Sequence, residues 1–186
     1  MRIIAGEKRG KKILTPADSA VRPTSDRARE SIFNVIAHQK WIATVAPLPM
    51  NARVLDLACG TGAFACEALS RGAASAVLYD NHAPSLKLAT QNIAALGYQD
   101  RAKIEFADLT RLPQAKQPFD LIFCDPPYGK GLASAALSQL QAQNYLAEKT
   151  LIVAETGRDE RLDIPTGLRL LDQRRIGAAC VHFISG

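Results

Sequence analysis

Phe119-Asp120-Leu121-Ile122-Phe123-Cys124-Asp125-Pro126-Pro127-Tyr128 is a short apolar run that stops at an acid and two prolines. An apolar run of this length reads as a strand buried on both faces of a parallel sheet. The acid then stands at the carboxyl end of a strand, where open α/β sheets place their ligands. The two prolines remove two backbone N–H groups and fix two φ angles. What remains is a rim of carbonyl oxygens and one carboxylate, which accepts hydrogen bonds and donates almost none. Such a rim suits a group that only donates, such as the exocyclic amino group of a nucleobase. Tyr128 offers a flat face at the same place, on which a base can stack. A proline-stiffened turn is the plainer alternative. The acid before the prolines, the tyrosine after them and a glycine-rich loop upstream favour a site, with Asp125, Pro126 and Tyr128 as its catalytic residues.

The strand has companions on both sides. Arg53-Val54-Leu55-Asp56-Leu57 is a strand, Ala58-Cys59-Gly60-Thr61-Gly62 a tight loop, and a helix runs on to about Arg71. Ala76 to Asp80 is a second strand, followed by a helix over roughly 83–96 that Gly97 closes. Lys103 to Ala107 is a third strand with Asp108 at its end, and the fourth ends at Asp125. A helix near 132–146 precedes a fifth strand, Leu151 to Glu155, and Leu168–Arg174 with Ala178–Ile184 form a closing antiparallel pair. This alternation predicts an α/β fold: a doubly wound, mostly parallel, seven-stranded sheet flanked by helices.

Gly60-Thr61-Gly62-Ala63-Phe64-Ala65 fits the fingerprint G-x-G-x-x-G/A, and Asp80 lies 20 residues beyond Gly60, where an acid binds ribose hydroxyls. That chemistry serves NAD and S-adenosylmethionine equally. Three features favour S-adenosylmethionine. Asp56 lies near the end of the first strand, where a buried carboxylate can organise the loop and meet the cationic methionine end of the ligand. Asp108 is placed to accept from an adenine amino group. The fourth strand ends in the acceptor rim. Asp56 or Asp108 alone reads equally well as a strand-end turn cap or a surface acid, but four acids ending four successive strands (Asp56, Asp80, Asp108, Asp125) point to one ligand. The expected cofactor contacts are Asp56, Ala58, Gly60, Gly62, Asp80, Asn81, Asp108 and Leu109.

The 186 residues fit one domain with a real hydrophobic core. No apolar run approaches a membrane span, and Met1-Arg2-Ile3-Ile4 is no signal peptide. Four scattered cysteines (Cys59, Cys66, Cys124, Cys180) and three scattered histidines (His38, His82, His182) suggest neither a disulfide framework nor a metal site. A reducing, cytoplasmic setting is the simple expectation.

The net charge of +5 is unevenly placed: residues 1–40 hold nine Lys/Arg against four acids, and the rest of the chain is neutral. A basic patch on a neutral body suggests docking to a polyanion, with a solvated basic tail as the alternative. Arg2–Ala5 and Lys11–Leu14 are short strand candidates of a hairpin whose turn is Gly6-Glu7-Lys8-Arg9-Gly10. Arg22-Pro23-Thr24-Ser25-Asp26 then opens a helix, with Thr24, Ser25 or Asp26 as N-cap and Ala28, Ile32, Val35 and Ile36 as its buried stripe. Arg22, Arg27 and Arg29 crowd the helix start, where cations oppose the dipole, so a phosphate or carboxylate partner accounts for them better than the fold does. Residues 43–52 read as a linker. The chain thus divides into a basic extension (1–40) and a main domain (41–186). The expected nucleic-acid contacts are Arg2, Lys8, Arg9, Lys11, Lys12, Arg22, Arg27 and Lys130, the last flanked by Gly129 and Gly131.

Leu55-Asp56-Leu57-Ala58-Cys59-Gly60-Thr61-Gly62 together with Asp125-Pro126-Pro127-Tyr128 resembles the Rossmann-like, class I methyltransferases that act on exocyclic amino groups. Arg2-Ile3-Ile4-Ala5-Gly6, Arg9-Gly10, the stretch from Arg22-Pro23-Thr24 to Phe33-Asn34, and Glu67-Ala68-Leu69-Ser70-Arg71-Gly72-Ala73 resemble the RsmD family. The resemblance covers nearly the whole chain. It implies methylation of N2 of one guanine in 16S ribosomal RNA, within a 30S subunit or an assembly intermediate, with S-adenosylmethionine as cofactor. Nothing in the sequence signals a partner helix, so a monomer is expected. The chain departs from the family in its cofactor loop, in having Asp80 where family members usually carry Glu, and in lacking an aromatic at Arg175-Ile176-Gly177. The rival readings are an adenine-N6 or other amino methyltransferase acting on DNA, an NAD-dependent oxidoreductase, and a non-catalytic RNA-binding module.

Overall fold

A computed structural model describes residues 1–16, 25–44 and 46–186. Its elements in chain order are α1 (Asp26–His38), β1 (Arg53–Leu57), α2 (Ala63–Ser70), β2 (Ser75–Asp80), α3 (Ala83–Leu96), β3 (Ala102–Phe106), β4 (Phe119–Cys124), α4 (Leu132–Ala142), β5 (Leu146–Gly157), β6 (Arg169–Ile176) and β7 (Ala179–Ser185). The seven strands form one sheet in the order β3-β2-β1-β4-β5-β7-β6. Strands β1 to β5 pair in parallel, and β7 runs antiparallel to both β5 and β6. This is the mostly parallel, seven-stranded sheet expected from the alternation of strands and helices, and the Rossmann-like class I methyltransferase architecture that the resemblance implied.

Two apolar layers hold the sheet. Successive strand residues point to opposite faces, so Val54, Leu121, Phe123, Val153 and Phe183 pack on the side covered by α1, α2 and α3. Leu55, Leu57, Ile122, Ile152 and Ile184 pack on the other side, under α4. Because both faces are covered, β4 is apolar at nearly every position. The strand order reverses between β2-β1 and β4, and the carboxyl ends there form the crevice in which such sheets bind ligands.

The amino-terminal stretch is tied to the main body. Of its two predicted strands one bridge remains, Arg2 with Lys12, flanked by cross-hairpin bonds from Ile3 N–H to the Lys11 carbonyl, Gly10 N–H to the Ile3 carbonyl and Ile13 N–H to the Met1 carbonyl, while other backbone groups bond to the main body. Ile4 and Ala5 donate to the Glu67 carboxylate at 2.8 and 3.0 Å, and Glu7 donates to the Ser70 carbonyl at 2.9 Å. Gly6 has φ +82, and a Cβ there would fall 1.8 Å from the Ser70 carbonyl oxygen, so only glycine lets the turn approach α2 this closely. Leu14 exchanges hydrogen bonds with the buried Asn92 side chain, which also donates to the Thr61 carbonyl of the glycine loop.

Four sequence expectations need correction. Ser25 is the N-cap of α1, but the buried stripe is Arg29, Ile32, Phe33, Val35 and Ile36, with Ala28 only half-buried. Arg29 is therefore no surface cation: its side chain is sealed from solvent, bonded to Asp26 at 3.0 Å and to the Arg2 carbonyl, with the Glu67 carboxylate 3.8 Å away. Residues 43–52 are not a loose linker, since Leu48 and Ala52 belong to the core and Asn51 donates to the Gly72 carbonyl. Finally, α4 stops at Ala142 and β5 begins at Leu146. A register shift between β4 and β5 lets the exposed Glu148-Lys149 lie within a strand that apolar pattern alone starts later. Thr24, like Arg22, lies outside the described residues. Among the described residues no helix is long and apolar enough to cross a membrane.

Candidate functional site

The carboxyl ends of β1, β2, β4 and β5 bring four acids (Asp56, Asp80, Asp125 and Glu155) and a glycine loop together. The loop after β1 turns on Ala58, Gly60 and Gly62, all with positive φ, and Cys59 donates to the Tyr79 carbonyl. Asp80 fixes it from β2: one carboxylate oxygen accepts from Gly60 N–H at 2.9 Å and the other from His82 N–H at 2.9 Å. Asp56 fixes it from below, accepting from Ala65 N–H in the first turn of α2 at 3.0 Å. Burial pushes the Asp56 carboxyl well above the ordinary range, the Ala65 N–H works against this, and the nearby Asp125 and Asp80 add to the rise. The crevice is thus a focus of negative potential that a cationic ligand would relieve.

Gly60 leaves room above the loop, because a Cβ built there would meet no atom within 4 Å. Asn81 is exposed beside Asp80. Next to Asp80 in register, Phe106 ends β3 and is 69 % exposed. It is a flat apolar surface that the sequence reading missed, and its only sequence signal is an aromatic at a strand end. Asp108 is exposed and accepts from both Thr110 N–H and its hydroxyl, which hold its carboxyl below the usual range. It caps its own turn, with the half-buried Leu109 inside that turn.

The Asp125-Pro126-Pro127-Tyr128 rim follows β4. Asp125 is half-buried, Pro126 is buried, and Tyr128 stands with its side chain partly in solvent. Two residues that the sequence reading did not assign support this loop. The Tyr128 hydroxyl donates to Glu155 of β5 at 3.3 Å. Glu160 accepts from Gly129, Gly131 and Gly157 N–H groups at 2.8, 3.1 and 3.0 Å. These bonds outweigh the cost of partial burial and hold the Glu160 carboxyl low. They also pin the two glycines around the exposed Lys130.

Burial raises Glu155 to about 8, with the Asp125 charge adding to the shift. Between about pH 4.5 and 8 the folded chain therefore keeps a proton that the unfolded chain has released. Stability should fall as pH rises through that window and level off above it. Glu155→Gln removes this dependence, so its melting temperature should gain on the parent's by several degrees between pH 5 and 8. A difference that stays constant with pH would contradict the assignment.

The basic residues lie on another flank. Arg2, Arg9, Lys11, Lys12 and Arg27 are exposed, while Lys8 is half-buried with its ammonium 5.9 Å from the Tyr98 ring. The turn at Glu7–Gly10 sits by Ser70, which ends α2, and by Arg101, which precedes β3. Those are amino-edge landmarks of the sheet, whereas Leu14 reaches the glycine loop through Asn92. The basic stretch therefore runs along the α2–α3 flank, up toward the crevice. Among the described residues, no group of three or more His, Cys, Asp or Glu could hold a metal ion.

Residues 1–185 match a family model described as conserved hypothetical protein 95. The chain is 34 % identical over 156 residues to ribosomal RNA small subunit methyltransferase D of Escherichia coli, covering 84 % of this chain and 74 % of that protein. It is 33 % identical over 181 residues to the protein of the same name from Haemophilus influenzae, covering 95 % and 89 %. Among solved structures, one from Escherichia coli described as a methyltransferase (yhhF) superposes with a TM-score of 0.83 at 30 % identity, covering 99 % of this chain and 96 % of that one.

Proposed function

The chain belongs to the RsmD family, and from that premise we propose that it transfers a methyl group from S-adenosylmethionine to the exocyclic N2 of a guanine in 16S ribosomal RNA. The observation that carries this reading is the acceptor-only rim at Asp125 and Pro126, set beside a glycine loop ringed by Asp56 and Asp80. The loop fits the cofactor. Bare backbone at Gly60 leaves space for it, the acid-lined crevice suits its positive charge, and the Phe106 ring offers an apolar face for its adenine. When bound, S-adenosylmethionine supplies a methyl group on a cationic sulfur, an electrophile that needs no further activation.

The work left to the protein is on the nucleophile. A guanine N2 lone pair is delocalised into its ring. The Asp125 carboxylate and the Pro126 carbonyl accept from the amino hydrogens, which holds the nitrogen toward a tetrahedral shape and frees the lone pair. The same acceptors stabilise the positive charge that grows on nitrogen during transfer. Alignment of nitrogen, methyl and sulfur supplies the rest. The base must leave its stack to enter, and Tyr128 receives it. Presenting 30S particles, naked 16S rRNA and duplex DNA to the protein with labelled cofactor tests this reading. Transfer to the 30S particle is expected; transfer to duplex DNA alone would make the chain a DNA amino methyltransferase.

The basic flank supplies the RNA track, with Lys130 at a flanking phosphate near the base. Reversing Lys8, Arg9, Lys11 and Lys12 to glutamate should weaken RNA binding and flatten its salt dependence, by ~0.7 in slope for each phosphate no longer neutralised. The turnover number at saturating RNA should stay near the parent's, because these residues stand away from the rim. An unchanged salt slope would refute the track.

A further inference from the structure

Glu155 is an acid where the fold alone would place an apolar residue. The residues before it on β5, Leu151 to Ala154, are all apolar and buried. Its own side chain is 3 % exposed, and among the described residues its Oε1 has no hydrogen-bond partner. A buried carboxyl group with an unmatched oxygen lowers stability, so its presence asks for a use outside the fold.

The register supplies one. Cys124, the last residue of β4, lies beside Ala154 of β5, so the next residues along the two chains are Asp125, just past β4, and Glu155 on β5. Strand alternation turns Glu155 toward the face that holds Val153, and the Asp125 charge lies close enough to bear on it. Glu155 Oε2 accepts from the Tyr128 hydroxyl. At the other end of the tyrosine, a Cβ on Gly157 would come within 3.3 Å of Tyr128 Cβ, so the side chain lies directly on the bare backbone of β5. Tyr128 is thus seated at its root by Gly157 and held at its tip by Glu155, with 41 % of its surface open.

We infer that Glu155 is a positioning residue of the base slot: its buried carboxyl group grips the Tyr128 hydroxyl and so sets the ring on which the target base stacks beside Asp125 and Pro126. This rests on the base-methylation reading above. The charge of the site supports it. Burial and the neighbouring Asp125 keep Glu155 largely protonated near neutral pH, so it holds the tyrosine without adding a second charge to the rim. The other groups bearing on it are the Tyr128 hydroxyl and the Cys124 thiol, and its register partner on β7 is the apolar Val181.

The test is a double-mutant cycle in methyl transfer to undermethylated 30S particles. Glu155→Ala and Tyr128→Phe should each lower kcat/KM for the RNA about ten-fold, the size of one hydrogen bond, with cofactor affinity unchanged. The double variant should fall no further, and Glu155→Gln, whose amide carbonyl still accepts from the hydroxyl, should recover most of the loss. Losses that multiply, or a Glu155→Gln variant as poor as Glu155→Ala, would overturn the inference. If the alanine variant fails to fold, Glu155→Gln and Tyr128→Phe keep the side-chain volume and carry the comparison. A readout independent of turnover uses protein with labelled tyrosines, of which the chain has four, the Tyr128 ring signal being assigned through Tyr128→Phe. That signal should move in Glu155→Ala and hold in Glu155→Gln; a signal indifferent to Glu155→Ala would refute the grip. A wild type that methylates only duplex DNA would overturn the guanine reading alone, and the same cycle then runs on DNA.

Discussion

Asp125→Ala is expected to reduce methyl transfer to background, a loss of at least about 10²–10³-fold, while the protein stays folded and binds S-adenosylmethionine as before. The size follows from where the group sits. Asp125 follows a strand buried at every position but Asp120, in an acid-lined crevice, where an acceptor aimed at a developing positive charge counts for far more than it would in water. Cofactor binding is spared because the loop is held by others: Asp80 on Gly60 and Asp56 on Ala65. Asp125→Asn keeps one acceptor oxygen and should lose less. The variants are compared by single-turnover transfer and by calorimetric titration with the cofactor. An alanine variant with near-normal turnover would end the proposed mechanism.

Arg29→Met is expected to cost about 3–5 kcal/mol, the typical penalty for removing one partner of a buried ion pair. For a chain of this size that lowers the melting temperature by on the order of 10 °C. Arg29 and Glu67 are both fully buried, and Glu67 joins three parts of the molecule. It accepts from Ile4 and Ala5 in the amino-terminal turn, pairs with Arg71 one helical turn on at 2.7 Å, and faces Arg29 of α1. Without Arg29, part of the Glu67 charge is left uncompensated in the core, and the Arg2 carbonyl loses its hydrogen bond from Arg29. Pairing Arg29→Met with Glu67→Gln should recover part of the loss. Thermal unfolding of the single and double variants measures both, and a single variant within about 1 kcal/mol of the parent would show that the network does not hold the extension in place.

Most of the sheet was legible because burial on two faces leaves a plain mark. β1 and β4 read as short, mostly apolar runs with their observed limits, and α3 read correctly because Gly97 closes it. β5 was cut short because Glu148 and Lys149 are exposed, so the pattern turns apolar only at Leu151. Arg29 was grouped with its neighbours Arg22 and Arg27 on charge, yet its spacing held the signal: 29, 32, 33 and 36 form one helical stripe with Ile32, Phe33 and Ile36. A charge on an apolar stripe calls for a buried counter-charge, and Glu67 lies far along the chain, where no local pattern connects the two. Glu155 carried a comparable sign, a fifth acid at the end of a fifth strand. What the sequence could not give was the register that sets it beside Asp125, or the bond to Tyr128.

The most direct measurement is methyl transfer from labelled S-adenosylmethionine to undermethylated 30S particles, with the RNA digested and its nucleosides identified. N2-methylguanosine at one position is the predicted result, and it would establish cofactor, base, atom and substrate class together. N6-methyladenosine, or label only in duplex DNA, would contradict the assignment of guanine N2 in 16S rRNA.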